Sequence, residues 1–275
     1  MANYFNNILA IVEWREDGDG CFLTAIQIAN RFGGSLHMIC LCETEETEAS
    51  RDKAACDNMK TMELQRTYRP ILEGNLSLHI HLMKGFSRNI SLGYIARNRI
   101  DLVLVWKRSG WCFPAVGSWI YANWLSRKAV CPVLSLQGHM NLQSIRNILL
   151  PMERCLPVGK LVSALRLAGA YKARIHLVSV VDKGDNAAED SSFLRACQLL
   201  QYHRSIDVDC KLLEGVSLPR SIAKYANKVN ADLVIVCASK RTLVNGLFGL
   251  LFSRRHSAVS RISFMTLPAD QLNIR

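Results

Sequence analysis

The sequence predicts an α/β protein of two tandem five-stranded parallel-sheet domains, residues 1–140 and 141–275. Three observations carry that expectation. The chain repeats itself over its whole length. Within each copy, short apolar runs alternate with stretches of helical spacing, which argues for a sheet with helices on both faces. The apolar runs are continuous and rich in β-branched residues, the pattern of strands buried on both sides of a parallel sheet.

The repeat is read from four landmarks that keep their order. Asn7-Ile8-Leu9 recurs as Asn147-Ile148-Leu149, and each run ends in an acid, Glu13 or Glu153. SLHMICL recurs as RIHLVSV, so His37 matches His176. Gly85 matches Gly215, and DLVLV, led by Asp101, matches DLVIV, led by Asp232. The offset falls from 139 to 130 between the second and third landmarks. A longer segment therefore lies in the first copy, with ETEETEAS inside it, and reads as a polar helical excursion.

In the first copy, strands are expected at residues 8–12, 36–41, 76–83, 102–106 and 132–136. Helices are expected at 21–32, 49–72, 87–98 and 119–128, the first with Phe22, Ala25, Ile26 and Ala29 on one face. In the second copy, strands fall at 148–152, 175–181, 208–213, 233–237 and 263–267. Its helices fall at 158–171, 188–203, 218–229 and near 253–261. The linker, Gln137 to Ser144, is short and polar.

Composition narrows the function classes. The chain is 49% hydrophobic and 21% charged, as a globular protein is, and no window resembles a membrane span. The N-terminal MANYFNNILAIVEW carries no basic region and no small-residue cleavage site, so no secretory signal is expected. The ten cysteines are scattered singly apart from Cys40 and Cys42, and no CxxC pair occurs. Reduced cytoplasmic thiols are expected rather than disulfides or a zinc site. The net charge of +11 is uneven: residues 1–140 carry 15 Lys+Arg against 13 Asp+Glu, and residues 141–275 carry 19 against 10. The second half can thus attract an anionic partner.

The order of elements, the Gly85 and Gly215 turns, the DLVLV and DLVIV strands and the closing AVCPVLSL run resemble a universal stress protein in tandem duplicated form. The resemblance covers nearly the whole chain. It implies strand order 3-2-1-4-5, a role in the stress response, a cytoplasmic location, and intramolecular pairing of the two halves. A homodimer is a second assembly it allows, since single-domain members dimerise through the last strand. Some members bind ATP or AMP in a loop after strand four that reads G-x-x-G, nine residues, then G with Ser or Thr. Glycines there give the phosphates close access to backbone, and an acid at the end of strand one faces the nucleoside.

Both loops of this chain depart from that pattern. In the first, Trp106 and Ser109 stand at the glycine positions, Gly110 follows, and the candidate terminal pair Gly117-Ser118 falls two residues early. In the second, Cys237 and Lys240 take the glycine positions, Arg241 follows, Gly246 and Gly249 are out of register, and Ser253 stands near the terminal pair. Glu13 and Glu153 replace the usual Asp. These loops are nucleotide-binding-like, and no resident cofactor is expected; ATP or AMP held by a shifted loop is the alternative.

Two aromatic and apolar features accompany the loops. Trp14 follows strand one and Trp106 ends strand four, which are neighbours in the implied order. The indoles either fill the vacated pocket as core or clamp a flat ligand. The second loop, LVNGLFGLLF, is flanked by Lys240-Arg241 and Arg254-Arg255-His256. It reads as an interface helix, or as an apolar groove with a basic rim for a lipid or other amphipathic anion. Nucleic acid is not favoured, because the basic residues are not interleaved with stacking aromatics.

No nucleophile elbow and no P-loop occur. His79 and His81 alternate on one strand and read as an exposed strand face, while packing explains His37 and His176. With no catalytic or metal-ligating constellation, the expected function is a non-enzymatic stress-response binding or scaffold protein. A nucleotide sensor and a lipid or hydrophobic-anion carrier are the alternatives.

Overall fold

Parallel neighbours in a sheet need a crossover between them, and the chain supplies one between successive strands of each copy. The computed structural model describes residues 5–13, 19–42, 50–85, 87–107, 119–137, 145–152, 158–181, 191–203, 205–215, 217–238 and 262–268. The chain divides into two units, Met1–Leu142 and Gln143–Arg275.

The first unit runs β1 (Asn7–Glu13), α1 (Asp19–Phe32), β2 (Ser35–Cys42), α2 (Ser50–Tyr68), a 3-10 turn (Arg69–Ile71), β3 (Leu78–Lys84), α3 (Arg88–Arg97), β4 (Leu102–Lys107), α4 (Trp119–Ala129) and β5 (Val133–Gln137). Its strands lie in the order β3-β2-β1-β4-β5, all parallel. The second unit runs β6 (Asn147–Met152), α5 (Val158–Tyr171), β7 (Arg174–Val181), α6 (Ser191–Gln201), β8 (Val208–Glu214), α7 (Leu218–Lys228), β9 (Leu233–Cys237) and β10 (Ser263–Leu267). Its order is β8-β7-β6-β9-β10, again all parallel. Each unit therefore has the 3-2-1-4-5 arrangement. The expected helix near 253–261 lies outside the described residues.

Continuous apolar runs become strands covered on both sides. Ile8 through Glu13 of β1 are all buried, as is every residue of β10. On one face of the first sheet, Leu9, Ile11, Val103 and Val105 join Ile95 of α3 and Tyr121 and Leu125 of α4 in a single core. The α1 stripe expected from the helical spacing, Phe22, Ala25, Ile26 and Ala29, is wholly buried. Phe22 also stacks on Tyr68 of α2, ring centres 5.0 Å apart. The long helix ends at Tyr68 rather than running to 72, because Pro70 removes an amide donor and the chain tightens into a 3-10 turn.

The landmarks shared by the copies hold the frame. Asp101 receives the amides of Asn6 and Asn7 on its two carboxylate oxygens, at 2.8 and 3.1 Å. Asp232 receives those of Arg146 and Asn147, at 2.8 and 2.9 Å. The acid that leads each fourth strand thus ties it to the start of the first strand. Gly85 has φ +72, which a side chain disfavours. At Gly215 the reason is space, since a Cβ there would collide with the Ser221 hydroxyl.

The chain leaves β1 toward β2 and β3, then returns across β1 to β4. Strand order therefore reverses between β1 and β4, and between β6 and β9. In open α/β sheets such a switch point opens a crevice at the carboxyl ends of the strands.

Candidate functional site

At the first switch point, β1 ends in Glu13 and β4 carries Trp106 near its end. The two strands are in register from Ile8↔Leu102 to Ile11↔Val105. Side chains alternate between faces along a strand. Glu13 continues the row of Leu9 and Ile11, which faces α3 and α4. Trp106 continues the row of Leu102 and Leu104, on the opposite face. The fold brings the acid and the indole to the same end of the sheet and separates them by the sheet itself. Both are buried: Glu13 is 7% exposed and Trp106 1%. The indole is part of the core.

At the second switch point, Cys237 ends β9, paired with Leu267 of β10. It occupies the place of Trp106, an offset of 131 shared with Asp101 and Asp232, and its thiol is half-buried. Trp14, Ser109, Gly110, Gly117, Ser118, Glu153, Lys240, Arg241, Gly246, Gly249 and Ser253 lie outside the described residues.

One residue at this end of the second unit is not among those the sequence singles out. Lys160, in the first turn of α5, is 7% exposed. Its ammonium donates to the carbonyl of Pro151 in β6. A buried ammonium needs such an acceptor, and it places a positive charge beside the carboxyl end of β6. Its trace in the sequence is a lone lysine inside the apolar stretch VGKLVSALRLAG. The first unit has Gly20 and Cys21 in that region.

A second constellation lies between the outer strands and α3. His37 of β2 sits in register with His79 of β3, and their rings stack 4.7 Å apart. A His37 ring nitrogen lies 2.9 Å from the Tyr94 hydroxyl of α3. His81 meets the Tyr94 ring edge-on at 5.2 Å. Burial, with the charges of His79 and His81, lowers the His37 pKa from 6.5 to about 4. Burial, with His79, also lowers His81. Burial pushes the Tyr94 hydroxyl up to about 12.

The second unit repeats this arrangement with two exchanges on the edge strand, Asp209 for His79 and Lys211 for His81. His176 of β7 is in register with Asp209 of β8, which stands where His79 stands in the first unit. Asp209 accepts from the Tyr225 hydroxyl of α7 at 3.0 Å and lies 3.4 Å from a His176 ring nitrogen. The other ring nitrogen is 3.2 Å from the Asn147 side-chain oxygen. Burial lowers the His176 pKa, but its contact with Asp209 opposes the shift. Among the described residues no group of three or more His, Cys, Asp or Glu could hold a metal ion, and no helix is long and apolar enough to cross a membrane.

Two doubly wound domains in tandem, each with a switch point at the carboxyl ends of its first and fourth strands, define the class of this protein. No family model and no curated protein matches the chain. Solved structures do. A universal stress protein from Archaeoglobus fulgidus is 14% identical, with a TM-score of 0.63 over 98% of this chain and 99% of that one. A protein of unknown function from Pseudomonas aeruginosa is 17% identical, with a TM-score of 0.62 over 97% and 93%. The cytoplasmic domain of a prokaryotic cation chloride cotransporter is 11% identical, with a TM-score of 0.56 over 96% of each chain. The resemblance read from the sequence holds at the level of fold: the chain has the tandem universal stress protein architecture from end to end.

Proposed function

We propose that this chain is a cytoplasmic, non-enzymatic stress-response protein that acts as a binding or scaffold module, with nucleotide loops that have lost their phosphate-holding role. The observation that carries the reading is Trp106. Where a phosphate loop would begin with glycine, β4 carries an indole built into the core at 1% exposure. Backbone there is screened by a side chain that the sheet needs for packing. Calorimetric titration of the full chain with ATP and AMP tests this, and the expected result is no binding tighter than roughly 100 μM. Micromolar binding of either nucleotide would replace this reading with the alternative of an ATP or AMP sensor using a shifted loop. A homodimer belongs to the same proposal, and sedimentation equilibrium tests it.

Lys160 favours a second reading, an anionic or lipid-like ligand at the second unit. A buried ammonium beside β6, in the half with the larger basic excess, supports an anion near the carboxyl ends of β6 and β9. Mass spectrometry of small molecules released from purified protein tests it. An amphipathic anion that accompanies the wild type and is lost from Lys160→Met would support this reading; its retention in the variant would remove Lys160 from the argument.

A further inference from the structure

The two copies place a buried histidine at the same point of the same fold and surround it differently. In the second unit a carboxylate, Asp209, faces His176 from the edge strand. In the first unit the corresponding edge-strand residue is His79, stacked on His37, and His81 follows two residues later on the same face. We propose that His37, His79 and His81 form an acid-triggered latch that holds β3 and α3 to the first sheet at neutral pH and loosens them on acidification. Asp209 weakens the same response in the second unit, because its contact opposes the lowering of the His176 pKa.

The latch follows from what surrounds His37. From β3 it faces His79 and His81; from α3 it faces Tyr94, on which Arg97 exerts its charge. From β1 it has Leu9 at the paired position. Asp101, across β1, has its oxygens engaged by the amides of Asn6 and Asn7. When His37 is neutral, one ring nitrogen shares a proton with the Tyr94 hydroxyl. When it is protonated, both nitrogens are donors, so the hydroxyl must turn its own proton away. An imidazolium at this position also lies 4.7 Å from the His79 ring and shares the pocket with His81, which repel it once they are charged. His79 and His81 are exposed on the edge strand. Relief comes from separating β3 and α3 from β2.

The sign of the effect is fixed by linkage. His37 binds a proton less readily in the folded protein, with a pKa near 4 against 6.5. Its contribution is intact above pH 6.5 and is lost as the pH falls toward 4. At pH 5 the folding equilibrium should be weaker than at pH 7.5 by on the order of 30-fold from this residue alone. His81 adds to the effect in the same direction.

Amide hydrogen exchange on the full chain tests the latch, with α7 as internal reference for α3, so that the intrinsic pH dependence of exchange cancels. On going from pH 7.5 to 5, protection of α3 should fall about tenfold or more relative to α7. In His79→Asp, which sets the second unit's carboxylate opposite His37, that relative loss should shrink clearly. Equal movement of α3 and α7 in the wild type overturns the proposal, as does an undiminished loss in His79→Asp. Should that variant not fold, the His37 imidazole of the wild type, followed by NMR from pH 8 to 4, decides alone. A midpoint well below 6.5 supports the latch, and an ordinary midpoint overturns it.

Discussion

The two halves share one frame and differ in what they put on it. The frame is kept by residues that serve backbone: Asp101 and Asp232 take up the amides that begin β1 and β6. Gly85 and Gly215 turn the chain after the third strands, and their amides donate to equivalent carbonyls, Cys42 and Val181, at 3.1 and 3.2 Å. Two of the differences lie in side-chain packing. Trp106 is core where Cys237 is half-buried. His79 stacks on His37 where Asp209 faces His176. A parallel sheet tolerates such exchanges because its ladder of hydrogen bonds is indifferent to side-chain identity. Each half can then acquire its own ligand preference and pH response without losing the fold.

The largest expected contrast is at the ends of the fourth strands. Trp106→Ala should cost about 3–5 kcal/mol, because it deletes the bulkiest fully buried side chain among the described residues and leaves a cavity. Cys237→Ala should cost under about 1 kcal/mol. Urea denaturation of both variants checks this, and similar costs at the two positions would mean that the strand ends are equivalent after all.

A smaller contrast should separate the two leading acids. Asp101 uses both oxygens, one for each amide. Asp232 accepts both amides on Oδ2. An Asn side chain keeps one acceptor oxygen, so Asp232→Asn can retain both bonds and Asp101→Asn cannot. Asp101→Asn should therefore be the more destabilising, by about 0.5–1.5 kcal/mol, the net worth of one hydrogen bond, since Asn6 is exposed and water can take up its amide. Chevron or equilibrium unfolding of the pair reads the difference directly.

The smallest contrast is at the helix ends. The residue after α1 is Gly33, with φ +67, whereas the residue after α5 is Lys172, with φ +53. Left-handed backbone disfavours a residue with Cβ. Lys172→Gly should stabilise by up to about 1 kcal/mol. Asn230, at φ +49, tolerates this region better, so Asn230→Gly should gain less. Thermal melts of the two variants, run side by side, test the order.

Much of the fold is legible in the amino-acid sequence. The helix expected at 158–171 and the strand at 233–237 have those same bounds in the structure. The repeat itself locates the equivalent residues of the two units. These features survive in the sequence because strand burial and helix amphipathicity are local periodicities, written in consecutive residues. The adjacency of β1 and β4, by contrast, is implied only by resemblance, because nothing local records which strands pair.

The candidate sites are less legible, and the reason is the same. Trp14 and Trp106 read as partners because their strands are neighbours; Trp14 lies outside the described residues, and strand parity sends Glu13, just before it, to the face opposite Trp106. Lys160 reads as one lysine in a helix until the carbonyl of Pro151 is found beside it. His37 and His176 match in sequence and in burial. What separates them is the residue set opposite each by the register of β3 on β2 and of β8 on β7. By itself the sequence determined the elements, their duplication and the polarity of each half, since these follow from neighbours along the chain. Only the tertiary structure decided which histidine meets a carboxylate and which meets a second histidine. That pairing joins residues 42 and 33 positions apart, and it depends on crossovers whose closure no local pattern encodes.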